Sequence, residues 1–116
     1  MTELEKRIVA AQKAGQAWAV ADEKYFLLDE TKKSVLADLI NDLDDSNTSE
    51  AKLERLARST KAWRGHIAAL SIAKGEALRA KVRYESCIAW YEAERTKEAS
   101  QRVSVARGLY QTGTGG

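Results

Sequence analysis

Wound at about 100° per residue, the stretch KGEALRAKVRYESCIAWYEAERTK, from Lys74 to Lys97, sets Arg79, Arg83, Trp90 and Lys97 in one row. Leu70, Ala77, Tyr84, Ile88 and Tyr91 fall on the opposite side. Cations flanking an indole suit a nucleic-acid strand, because ammonium and guanidinium groups pair with phosphates while a flat ring stacks on a base. Lys61 lies on the same side one to two turns past the central turn, and Arg64 at its margin. Glu76 and Glu94 sit near the row and dilute its charge. The same pattern also fits an ordinary solvated helix face, and an exposed Trp equally fits a subunit interface.

Catalytic chemistry finds little to work with. One histidine, His66, one cysteine, Cys87, and scattered carboxylates form no nucleophile–base pair, no glycine-rich phosphate loop and no HExxH spacing. A non-enzymatic protein without metal or cofactor is the expectation. Cys87 reads as a small helix-packing residue and His66 as an edge histidine. The acidic run DLDDSNTSE lacks the central glycine and terminal glutamate of a calcium-binding loop and reads as a solvated turn.

These side chains must be positioned by helices. Proline is absent from the 116 residues and 19 of them are alanine, so little interrupts helix and much favours it. Thr2 and Glu5 have capping-box spacing. Leu4, Ile8, Ala11, Trp18, Ala21, Tyr25, Leu28, Val35, Leu39 and Leu43 then recur mostly at threes and fours, which describes a helix of about 60 Å. Asp44, Asp45, Ser46, Asn47, Thr48 and Ser49 favour a turn, with Asn47 and Glu50 forming a second capping box. A short helix over Ala51 to Arg58 breaks at Ser59-Thr60. The second long helix follows, with Trp63, Ile67, Leu70, Ala77, Tyr84, Ile88 and Tyr91 as its seam. Lys74 and Lys81 fall in that seam near the level of Asp22 and Asp29 of the first helix, so intramolecular ion pairs are expected for them.

The fold class is therefore all-α: a long antiparallel, coiled-coil-like hairpin with a short extra helix near the turn. Residues 1–108 form one domain and residues 109–116, beyond Gly108, a flexible tail. With eight aromatic residues and long helices, a single copy exposes much apolar surface, which predicts self-association. No apolar run reaches a membrane span and MTELEKRIV lacks a signal core, so a cytoplasmic protein is expected. Charge is uneven: residues 1–50 hold six Lys/Arg against eleven Asp/Glu, net −5, and residues 51–116 hold thirteen against six, net +7. Either the halves pair with each other or the basic half serves a polyanion.

Lys74 and the run Ala77-Leu78-Arg79-Ala80-Lys81-Val82-Arg83-Tyr84 resemble a segment of the UvsY-type phage recombination mediators, a Lys-x-x-Ala-Leu-basic-Ala-basic-aliphatic-x-Tyr pattern in a small helical protein. The resemblance covers some eleven residues. It implies a protein that self-assembles, binds single-stranded DNA and helps a recombinase displace single-strand-binding protein. Lys74, Arg79 and Lys81 match the basic positions and Tyr84 the aromatic one, whereas Arg83 stands where the family segment carries an acid. Trp90 to Lys97, WYEAERTK, is similar to small helical phage proteins associated with recombination genes.

Trp63-Arg64-Gly65 resembles the WXG hairpin proteins of specialised secretion. Their late Tyr-x-x-x-acid signal is missing, because Ile88, Arg95 and Thr114 stand four residues after Tyr84, Tyr91 and Tyr110. The alternative to a DNA-binding accessory is a coiled-coil interaction module, an adaptor, assembly factor or inhibitor, whose basic face meets an acidic protein.

Overall fold

The computed structural model describes residues 1–43 and 47–114, the last six of these by backbone alone. Asp44, Asp45 and Ser46 of the acidic turn, and Gly115 and Gly116, lie outside the described residues. The described chain is all-α, with α1 over Glu3–Asp42, α2 over Glu50–Arg58 and α3 over Lys61–Thr114.

Local chemistry sets these boundaries. The Thr2 N–H donates to Glu5 Oε2 at 3.3 Å and the Glu5 N–H to Thr2 Oγ1 at 3.1 Å, a reciprocal capping box that starts α1. The last turn of α1 has no basic residue and holds Asp38 and Asp42, whose charges oppose the helix dipole. The cap of α2 is Ser49, whose hydroxyl accepts from the Lys52 N–H at 3.3 Å, and not Asn47 as the spacing to Glu50 suggests. Ser49 directly precedes the first helical residue, Glu50, and its extended backbone, φ −66° and ψ 151°, aims its hydroxyl at the Lys52 N–H.

Ser59 and Thr60 end one helix and begin the next. Backbone N–H groups of Ser59 and Thr60 donate to Leu56 and Ala57 carbonyls at 3.1 and 3.2 Å, and Thr60 Oγ1 then accepts the Trp63 N–H at 3.2 Å. At the far end α3 runs on to Thr114, six residues past Gly108 where the sequence suggested fading. No described glycine adopts the left-handed conformation that stops a helix, and no proline follows, so Gly108 weakens α3 without ending it.

The chain falls into two units, one made of residues 1–17 with 81–116 and the other of residues 18–80. In the first, Ala11, Ala14 and Cys87 are buried together, with Ala10, Tyr84 and Ile88 packed on them. Gly15 lets α1 approach the Tyr84 ring: a Cβ built there would stand 3.2 Å from Tyr84 Cε2. In the second, α1 and α3 run antiparallel, tied by the His66 Nε2–H donating to the Leu28 carbonyl at 2.9 Å and by Lys24 Nζ 3.8 Å from Glu76. Trp63 is buried, with His66 stacked on it and the Arg58 guanidinium 5.7 Å from its ring centre.

The seam of α3 is narrower than its large apolar residues suggest. In the second unit it runs Trp63, His66, Leu70, Ala73, Ala77 and Ala80; in the first it continues as Tyr84, Cys87, Tyr91 and Glu94. That is a strict three-four alternation, the period of a helix pair packed along one stripe. Ile67 is exposed, and so are Lys74 and Lys81, each one residue beyond the buried Ala73 and Ala80. The expected seam position of the two lysines and their pairing with Asp22 and Asp29 are thus corrected. Alanine takes those positions because helices at close approach leave room for a methyl group only. Among the described residues Lys74 and Lys81 join no ion pair, while Asp29 pairs locally with Lys32 at 3.4 Å.

Candidate nucleic-acid interface

The first unit holds the part of the predicted row that surrounds the indole. Arg83, Trp90 and Lys97 follow one another every seven residues, about 10.5 Å apart along α3. All three are exposed, Trp90 by 55%. Neither Arg83 nor Lys97 is held by a carboxylate among the described residues. Their charges are therefore available to an anion, whereas a paired cation would first have to be released.

Trp90 does not stand alone. The Arg7 guanidinium of α1 lies 5.3 Å from its ring centre, in cation–π range, and reaches Glu3 at 3.5 Å. Arg7 thus joins Arg83 and Lys97 around the indole. Sequence reasoning missed it, because the only local signal is its i,i+4 relation to Glu3, and residues 7 and 90 are far apart in the chain. Lys81 is exposed in the same unit, on a different flank of α3 from Arg83. Tyr84 is half-buried against Gly15 in the seam, so its ring serves packing.

The second unit carries the other predicted cations. Lys61 is exposed in the first turn of α3, where the positive end of the helix dipole opposes a cation and no acidic residue of that turn offsets it. Arg64 is engaged: its Nε and Nη2 groups donate to the Ser59 carbonyl, covering the junction of α2 and α3. Lys74 is exposed and unpaired among the described residues. Arg79 is exposed and folds back along its own helix, its Nη1 3.2 Å from where a Gly75 Cβ would stand. Glu76, expected to dilute the row, is occupied by Lys24.

Comparison with known proteins gives no relative. The chain matches no family model, no curated protein and no solved structure. Its chemistry rests on its own side chains. Among the described residues no three His, Cys, Asp or Glu groups gather to hold a metal ion, and no helix is long and apolar enough to cross a membrane. Cys87 is buried in the seam and His66 is spent on Trp63 and Leu28. What the row presents is two unpaired cations and the Glu3-paired Arg7 around an exposed ring, groups able to pair with phosphate and stack on a base.

Proposed function

We propose that this chain is a non-enzymatic accessory of phage homologous recombination that binds single-stranded DNA and assists recombinase loading, acting in the host cytoplasm. The observation that carries the reading is the Arg83–Trp90–Lys97 row: two unpaired cations, each one heptad from a ring that is more than half exposed, with the Glu3-paired Arg7 beside the indole. Phosphates follow the cations while the indole stacks on a base, giving salt-sensitive binding with little sequence preference. The recombination role, with a recombinase or single-strand-binding protein as partner, rests on the resemblance of residues 74 and 77–84 to the UvsY-type segment.

Quenching of tryptophan fluorescence by oligothymidine tests the contact. Wild type should lose more emission than Trp90→Phe, and the difference isolates Trp90 from Trp18 and Trp63. Equal quenching in the two proteins would contradict stacking at this site.

The second reading is an interaction module for an acidic protein partner, and the exposure of Leu78 and Val82 beside the basic side chains of α3 is what favours it. Under it Trp90 anchors a protein interface, and oligothymidine leaves its emission unchanged.

A further inference from the structure

The flank of the second unit that carries the Lys24–Glu76 pair has a composition unlike a solvated face. On α1, Val20, Lys24 and Leu27 stand four and three residues apart and form one outward row. A shallow dent lined by Val20, Glu23, Lys24, Leu27 and Leu28 marks it. On α3, Ile72, Glu76 and Arg79 make the facing row, again four and three apart. The Lys24–Glu76 contact of 3.8 Å fixes how the rows align. Antiparallel helices then place Leu27 beside Ile72 and Val20 beside Arg79. Val20, Leu27 and Ile72 are 69%, 55% and 60% exposed, so a band of large apolar side chains lies in water around one plus and one minus charge.

The geometry points to this flank as the contact between two copies of the chain, related by a two-fold axis parallel to the helices. Two arguments select a second copy as the occupant. The first is charge. A two-fold contact must be self-complementary, since each patch meets its own image. With the axis along the helices, α1 of each copy lies on α3 of the other, antiparallel to it. Lys24 of each copy then meets Glu76 of its mate, and Leu27 meets Ile72 twice. With the axis across the helices, lysine would face lysine and glutamate glutamate, so the charge pattern picks one arrangement. Its product is a four-helix bundle with antiparallel neighbours, a favoured packing for helices.

The second argument is apolar exposure: Val20, Leu27 and Ile72 stand in water by 69%, 55% and 60%, and Leu27 meeting Ile72 twice takes four of these large side chains out of it. Val20 of the mate would lie over the aliphatic stem of Arg79, which puts Arg79 at the edge of this contact. The contact is independent of what the Arg83–Trp90–Lys97 row binds.

Sedimentation equilibrium over a range of protein concentrations tests it. Wild type should give twice the chain mass of 12.8 kDa, and Leu27→Glu and Ile72→Glu should each halve that value while circular dichroism stays helical. Phe26 is exposed too, but its row turns some 200° from Lys24, so Phe26→Glu should keep the doubled mass. Lys24→Glu places like charges on both faces of the contact and should weaken the pair while circular dichroism stays helical. A wild type of single mass at every concentration overturns the proposal. So does an assembly that survives Leu27→Glu and Ile72→Glu, or one that Phe26→Glu alone breaks.

Discussion

Gly15 and Gly65 provide a matched pair of substitutions that measures how α1 meets α3 in the first unit. Both are glycines inside long helices, so alanine at either gains about 0.8–1 kcal/mol of helix propensity. At Gly65 a Cβ meets nothing within 4 Å, and the gain is retained. With an unfolding entropy of about 2.1 cal/mol/K per residue, each 1 kcal/mol moves the midpoint of a chain this long by about 4 °C, so Gly65→Ala should raise Tm by nearly that amount. At Gly15 the new methyl stands 3.2 Å from Tyr84 Cε2 and 3.4 Å from Cδ2, and the half-buried ring must yield by a few tenths of an ångström. Forcing an extra methyl group into a packed contact costs about 1–3 kcal/mol, which cancels or exceeds the propensity gain.

Gly15→Ala should therefore leave Tm unchanged or lower it by up to about 8 °C, measured at fixed protein concentration. Placing both alanines against a Tyr84→Ala background completes the test, since without the ring Gly15→Ala should stabilise as Gly65→Ala does. Equal stabilisation by the two glycine substitutions in the wild-type background would refute the Gly15–Tyr84 contact, and with it the alignment of α1 on α3 in this unit.

Two further outcomes follow from the same contacts. Ser49→Ala removes the acceptor of the Lys52 N–H and should cost about 1 kcal/mol in urea unfolding. Lys74→Gln and Lys81→Gln should each change stability by no more than about 0.5 kcal/mol, because both lysines are exposed and unpaired among the described residues; a loss of several kcal/mol would return them to the seam.

Much of the fold was legible in the sequence because local chemistry dictates it. The Thr2/Glu5 box and the break at Ser59-Thr60 each depend on side chains within four residues of the backbone groups they serve. Most of the α1 seam was legible too, since Trp18, Ala21, Tyr25 and Leu28 are its apolar residues at regular spacing. The α3 seam was misjudged by one position at Ala73 and Ala80. Ile67, Ile72, Leu78 and Val82 spread large apolar side chains around α3, so residue size gives no clear phase. The close approach of the helix pair, which selects for alanine, is a tertiary property.

The candidate site divides the same way. Exposure of Arg83, Trp90 and Lys97 follows from helical periodicity, but the placement of Arg7 on the indole needs the antiparallel partner. Periodicity puts Arg64 at the margin of the row, whereas its bond to the Ser59 carbonyl depends on the turn between α2 and α3. Tyr84 belonged to both the seam and the motif in the sequence, and contact with Gly15 assigns it to the seam.

The most direct test of the proposed activity is the anisotropy of a labelled single-stranded oligonucleotide, titrated with wild type and with Arg83→Ala/Lys97→Ala from 50 to 200 mM salt. Each phosphate contact on a single strand contributes about −0.7 to the slope of log affinity against log salt. Loss of two contacts should make the slope shallower by about 1.4, so that the double variant loses about sevenfold less affinity across that salt range than wild type does. Identical slopes, or a wild type that binds no oligonucleotide at 50 mM salt, would contradict the claim that this row holds a nucleic-acid strand.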